Sequence, residues 1–172
     1  MDKLVKKAQN GDAEAFITLM EQNKQTMKRI AIAYLGNEED VADAIQETIL
    51  DAFEKKCTLK KPEFFKTWLI RILINNCITI QRKKAKVISM DLVEADQQTK
   101  LNLETFHIVQ NSDLEFFDLL QKLPKESRII FQMYYGEQFT TKEIAKLLHL
   151  KESTVKSRIH RGKEQLRTQL DI

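Results

Sequence analysis

The side chains best suited to chemistry lie close together near the C-terminus. Ser153, Thr154, Lys156, Ser157, Arg158, His160, Arg161 and Lys163 put hydroxyls, an imidazole and four cations into one short stretch. Lys and Arg neutralise phosphates, while Ser, His and Arg can bond the edges of bases. Nothing comparable suggests a reaction. His107, His149 and His160 are scattered, no glycine-rich loop could cradle a phosphate, and neither Cys57 nor Cys77 has a catalytic neighbour in the sequence. No catalytic residue, cofactor or metal site is expected. A basic face can also be plain solvated surface, so the elements that position these residues decide what they are for.

Those elements read as two helices joined by a tight turn. Thr140 with Glu143 makes a capping box, opening a short helix whose inner face is Ile144, Ala145 and Leu148. A turn around His149 to Lys151 leads into a longer helix. At about 100° per residue, Val155, Ile159, Gly162 and Leu166 share one arc. The opposite arc holds Ser153, Ser157, His160, Arg161 and Glu164, with Lys156 and Lys163 on its flank. A short helix, a turn and a basic second helix are what reading the major groove requires. The spacing predicts a helix-turn-helix that binds double-stranded DNA.

The whole chain supports helices. Its 172 residues include 42% hydrophobic residues, 4 Gly and 2 Pro, so a core can form and turns are few. An all-α fold is expected. The net charge of +3 means little by itself, but its distribution means more. Four of the five residues from Arg82 to Lys86 are basic, and Lys151 to Arg167 carries six basic residues against two acidic ones. From Asp91 to Asp118 the balance reverses, with seven acidic residues and only Lys100 positive. Two basic clusters around an acidic middle suit a protein that lays two surfaces on a polyanion.

Along the chain, a short helix from Asp2 stops at Asn10-Gly11, and Asp12 caps a long helix to about Leu35. Phe16, Leu19, Met20, Met27, Ile30, Ala31 and Tyr34 recur at helical spacing on its buried face. After Gly36, Asn37 suits an N-cap, and Glu38, Glu39 and Asp40 favour the first turn of the next helix. That helix is expected to bury Val41, Ala44, Ile45, Thr48, Ile49 and Phe53. A break between Thr58 and Pro62 precedes a fourth helix, on which Trp68, Ile72, Asn75 or Asn76, and Thr79 fall in line, flanked by Phe65 and Leu69. From Ala85 to about Asn111 periodicity fades. Helices then run from Asp113 to Lys122 and from Lys125 to Tyr135. The expected organisation is two small helical domains, residues 1–86 and 112–172, joined by a flexible linker over 87–111.

Residues 140–163, with E-I-A, T-V-K-S-R and R-G in order, resemble the C-terminal helix-turn-helix of bacterial sigma factors. The preceding LQKLPKESRIIFQMYYGEQFT is similar to the helix pair leading into it. Independently, DVADAIQETILDAF from Asp40 to Phe53 resembles the core-polymerase-binding helix of that family, with its D-x-x-D-x-x-Q-E-T spacing. FKTWLIRILINN, Phe65 to Asn76, resembles the helix that melts and reads the −10 promoter element. The length leaves no room for the extra domains of housekeeping members, so the chain is similar to the extracytoplasmic-function (ECF) subfamily of the sigma-70 family.

The resemblance implies a non-enzymatic factor that lends promoter specificity to core RNA polymerase. It would place Asp40, Asp43, Gln46, Glu47 and Leu50 against the polymerase; Asp40, Asp43 and Glu47 also form an acidic ridge at i, i+3 and i+7. It assigns −10 contacts to Phe64, Trp68, Asn75, Asn76, Arg82, Lys83 and Lys84, although Phe65 and Trp68 also suit a core. The −35 contacts fall to the eight residues between Ser153 and Lys163 named above. The loop from Cys57 to Glu63 follows no legible pattern. The acidic linker is either a nucleic-acid mimic in the polymerase channel or an ordinary tether. The expected partners are core RNA polymerase, promoter DNA and an anti-sigma factor of the kind often anchored in a membrane. A stand-alone helix-turn-helix regulator is the alternative, but it would need neither the acidic ridge nor the Trp-bearing helix. The N-terminus has no signal-peptide apolar stretch and no run of eighteen apolar residues occurs, so a cytoplasmic protein without membrane insertion and with reduced thiols is expected.

Overall fold

The computed structural model describes residues 1–90 and 111–169. These form eight α-helices: α1 Asp2–Gln9, α2 Ala13–Leu35, α3 Glu38–Lys55, α4 Phe65–Met90, α5 Asn111–Gln121, α6 Lys125–Phe131, α7 Thr141–Leu147 and α8 Glu152–Gln169. No strand occurs among the described residues, so the all-α expectation holds. The described residues group into two compact units, 1–31 with 39–90 and 32–38 with 111–169. The acidic segment read as a linker lies outside the described residues between 91 and 110, and α4 continues to Met90, past the boundary expected after Lys86.

Local chemistry sets the ends of the N-terminal helices. Gly11 (φ 96°) and Gly36 (φ 82°) adopt the left-handed conformation after α1 and α2, which costs glycine little. The backbone N–H of Ala15 donates to Asp12 Oδ1 at 3.0 Å, the cap expected for α2. Leu19, Met27 and Ile30 from α2 join Leu69, Ile70, Leu73 and Ile74 from α4 among the fully buried side chains. Cys77 is equally enclosed. Burial, reinforced by the negative charge of Asp40, pushes its thiol up to about 12. Cys57 is exposed. At pH 8 a disulfide thiol reagent should therefore titrate one cysteine rapidly and the second only after denaturation. Two fast equivalents would contradict the burial of Cys77.

Two expected faces shift. On α3 the buried positions are Asp40, Val41, Ala44, Thr48 and Ala52; Ile45 and Ile49 are half-buried and Phe53 is 50% exposed. The ring of Phe53 meets the edge of Phe16 at 5.3 Å, and the Lys56 ammonium lies 3.7 Å from its centroid. On α4 the core face runs through Phe65, Leu69, Ile72, Leu73 and Cys77, while Trp68 is half-buried and Thr79 exposed. The break between α3 and α4 is two 3₁₀ turns, Lys56–Thr58 and Pro62–Phe64. Gln9 holds it from α1: its Nε2 donates to the carbonyls of Lys56 at 2.9 Å and Leu59 at 2.8 Å.

In the second unit Phe117, Leu120, Leu123, Ile129, Ile130, Phe131, Met133, Phe139, Ile144, Ala145, Leu147, Val155 and Ile159 form the core. Gly162 is buried with them because a Cβ there would sit 2.5 Å and 2.6 Å from the Phe131 ring. The turn after α5 is held by side chains from later elements. Arg128 donates to the carbonyls of Leu123 at 2.9 Å and Gln121 at 3.2 Å, and Gln165 of α8 donates to that of Lys122 at 2.9 Å. The helix expected to run unbroken from Lys125 to Tyr135 instead ends at Phe131 and widens into a π-helical turn, Gln132–Gly136. The N–H of Glu137 donates to the Gln132 carbonyl five residues back at 3.0 Å.

Candidate nucleic-acid interface

The helix-turn-helix begins with the expected capping box. The Glu143 N–H donates to Thr140 Oγ1 at 3.2 Å, and Glu143 Oε2 accepts from the Thr140 N–H at 2.9 Å. After α7 the turn pivots on His149 at φ 54°, a left-handed position that histidine tolerates better than most residues. The Leu150 N–H then donates to the Ala145 carbonyl at 2.9 Å. A side-chain tie fixes the angle between the helices: Thr141 Oγ1 donates to Glu152 Oε1 at 2.8 Å. Within α7 the inward residues are Ile144, Ala145 and Leu147; Leu148, expected inside, is only half-buried. Val155, Ile159 and Gly162 press α8 onto the core, with Leu166 half-buried.

This packing exposes Ser153, Lys156, His160, Arg161 and Lys163, and leaves Thr154, Ser157 and Arg158 half-buried. Arg161 Nη2 donates to Ser157 Oγ at 2.9 Å, which pre-orients the guanidinium on the outer face. Lys156 pairs with Glu152 at 2.9 Å. Lys156 and Thr141 together hold the Glu152 carboxyl below its usual range. An exposed i, i+4 pair of this kind is worth only about 0.3–0.5 kcal/mol, so Lys156 can exchange it for a phosphate. Lys163 lies on the flank, 5.6 Å from the centroid of the Tyr135 ring. Arg158 is placed differently: Nη2 pairs with Glu126 Oε2 at 2.5 Å, bracing α8 against α6.

The first unit presents two more surfaces. On α3, Asp43, Gln46, Glu47 and Leu50 are exposed in one ridge, and Phe53 extends it at the next helical step. Sequence reasoning placed Phe53 inside. The spacing Val41, Ala44, Thr48, Ala52 carried the opposite signal, since it steps onto Ala52. Asp40, expected on the ridge, is 6% exposed, and Lys84 Nζ of α4 binds its Oδ2 at 2.8 Å. On α4, Asn75, Arg82 and Lys83 are exposed. Asn76 turns toward α3 and donates to Asp51 Oδ2 at 3.1 Å and Thr48 Oγ1 at 3.3 Å. Phe64 is 52% exposed in the turn before α4. Half-buried Trp68 packs at 5.8 Å on the inward Phe65.

The fold and this surface define a helix-turn-helix protein with a second helical unit of its own. Family models described as "Sigma-70 region 2" and "Sigma-70, region 4" match residues 19–87 and 113–166, in that order. The chain is 29% identical to RNA polymerase sigma factor SigV of Bacillus subtilis, over 90% of each chain. It is also 29% identical to ECF RNA polymerase sigma factor SigW of the same organism, over 98% of this chain and 95% of that one. The ECF RNA polymerase sigma-E factor of Escherichia coli is 25% identical over 95% and 90%. The fold matches CnrH, solved in complex with the cytosolic domain of CnrY, with a TM-score of 0.66 at 24% identity over 99% and 96% of the two chains. It also matches the sigma factor RpoE of Bartonella quintana, solved with the anti-sigma factor NepR, with a TM-score of 0.71 at 19% identity over 93% and 99%.

The chain belongs to the sigma-70 family of bacterial RNA polymerase sigma factors, in its ECF subfamily. It is an alternative sigma factor, a non-enzymatic initiation factor that directs transcription. The region 2 match sets aside the stand-alone regulator.

On α8 the exposed cations should separate into two kinds. Arg161→Ala should cost about 1–3 kcal/mol and relax selectivity at one base pair if its fork reads a guanine. Lys163→Ala should weaken all sequences alike and reduce the salt slope by about one. Binding titrations at several salt concentrations on single-base variants measure both. Identical behaviour of the two variants would reduce α8 to an electrostatic anchor.

Proposed function

We propose that this chain docks on core RNA polymerase through the α3 ridge of Asp43, Gln46, Glu47 and Leu50, with Phe53 extending it. α4 then meets the −10 element, and α8 meets the −35 element in the major groove. The observation that supports this most is the exposed basic face of α8, held outward by an apolar inner face and a capped turn. Ser153, Thr154, Ser157, His160 and Arg161 are the base-reading set, and Lys156 and Lys163 hold phosphates. In the first unit, Phe64 and Trp68 supply stacking surface that offsets the few kcal/mol needed to unstack a base. Asn75 bonds exposed base edges, and Arg82 and Lys83 hold the backbone. Asp40, Asn76, Lys84 and Arg158 serve these contacts through the packing they maintain.

Residues 1–86 act as the polymerase and −10 domain and 112–172 as the −35 domain, with 87–111 as the linker. The acidic linker either mimics nucleic acid within the polymerase or simply tethers the domains. An anti-sigma factor, soluble or membrane-tethered, is the inhibitory partner; the RpoE–NepR complex shows that a protein of similar fold accepts one. Among the described residues no helix is long and apolar enough to cross a membrane, which suits a protein working in the cytoplasm beside its polymerase. Run-off transcription tests the reading. Core polymerase with this chain should give discrete transcripts from a promoter library, and core polymerase alone none. Equal transcription with and without the chain would refute it.

A further inference from the structure

We infer that Asp40 and Lys84 form a positioning pair that aims the basic end of α4 at promoter DNA, rather than contacting polymerase and phosphate separately. The inference rests on the polymerase and promoter roles proposed above. Its starting point is where the hydrophobic grip on α4 ends. Phe65, Leu69, Ile70, Ile72, Leu73, Ile74 and Cys77 are buried, Ile78, Ile80 and Gln81 are half-buried, and every residue from 82 to 86 is exposed. Lys84 lies on an exposed overhang, three residues or about 4.5 Å beyond half-buried Gln81 at 1.5 Å per residue. Arg82 and Lys83 ride on that overhang with both side chains exposed.

Asp40 is what the overhang meets. It lies in the first turn of α3, where the helix dipole favours a carboxylate, and it is 6% exposed. Its Oδ2 lies 2.8 Å from Lys84 Nζ, whose side chain stays 55% exposed. Its charge also reaches Cys77, where it helps to raise the thiol. A second tie joins the same helices eight residues earlier on α4, where Asn76 donates to Asp51 and Thr48. Residues 40 and 84 meet, as do 51 and 76, so the helices run antiparallel and are fastened at two points. The exposed residues Asp43, Gln46 and Glu47 lie between those points. The pair therefore fixes the DNA-facing cations in register with the polymerase-facing ridge.

The test turns on a sign. Asp40→Asn removes a negative charge from a protein that binds a polyanion, so simple electrostatics says DNA binding should strengthen. The positioning pair says that holoenzyme carrying Asp40→Asn binds a promoter fragment about tenfold more weakly, as does Lys84→Ala. The double variant should be no weaker than either single one, because both break one device. Lys84→Arg should stay within twofold of the parent, and core-polymerase affinity should stay within twofold throughout. In the free chain, amide exchange over residues 78–86 should rise in both single variants while circular dichroism is unchanged.

Unchanged exchange there, or additive losses in the double variant, would overturn the inference. So would Asp40→Asn binding promoter as well as the parent while Lys84→Ala loses about 0.9 of a unit of salt slope, the mark of a direct phosphate contact. Weakened polymerase binding in Asp40→Asn with promoter affinity intact would also overturn it. Failure of the parent chain to bind core polymerase would instead count against the proposed function, and the exchange measurement would still decide the pair.

Discussion

Gly162→Ala should lower the melting temperature of the C-terminal unit, although alanine is the better helix former. In an open helix the exchange would stabilise by about 1 kcal/mol. Here the added methyl would lie 2.5 Å and 2.6 Å from two ring carbons of Phe131. That ring is 3% exposed and cannot swing into solvent. Relief must come from moving α8 away from α6, and overpacking of this kind costs about 1–3 kcal/mol. The net expectation is a loss of up to about 2 kcal/mol, or about 4–8 °C per kcal/mol lost for a unit of this size, with weaker DNA binding as α8 shifts. Scanning calorimetry measures the first and a binding titration the second. Phe131→Leu in the same chain should return part of the stability by making room. A higher melting temperature for Gly162→Ala would show that the close approach does not govern this packing.

The other large effect is expected at the polymerase. Asp43→Arg with Glu47→Arg reverses two exposed charges on α3, so the fold should survive and circular dichroism should not change. If the ridge meets basic side chains on polymerase, two like-charge juxtapositions replace two attractions, at several kcal/mol in all. Affinity for core polymerase should fall at least about a hundredfold, and run-off transcription should be lost. Phe53→Ala should weaken binding less and with little salt dependence, because it removes apolar surface alone. Unchanged affinity in the double reversal would remove the ridge from the interface.

What the sequence made legible follows from the range of each interaction. The capping box at Thr140 and Glu143, the cap at Asp12 and the arc of Val155, Ile159 and Gly162 are set by neighbours within a few residues, and all three appear as expected. Phe53 was misplaced because helical spacing says which side of a helix is apolar but not how far the covering helix extends. Arg158 looked like its neighbours on the DNA face because its partner, Glu126, lies 32 residues away. Asp40 and Lys84 are 44 residues apart, and no local pattern joins them. The π-helical turn after Phe131 was equally hidden, since its residues suit an α-helix. For the candidate site, the residue types on each helix were legible in the sequence, but which of them brace one helix against another through distant partners was not.

The ties across the α5–α6 turn bear on the order in which the chain is made. Arg128 caps Gln121 and Leu123 at once, but the carbonyl of Lys122 waits for Gln165, and the ring of Phe131 waits for Gly162. While a ribosome is still adding α8, the second unit has neither its last cap nor its lid, and Phe131 faces water. The buried core described for the first unit ends at Cys77 and its tie to Asp40 at Lys84, so that core can close when about half the chain exists. A nascent chain stalled before Gln165 would therefore carry a finished first unit and an open, aggregation-prone second one.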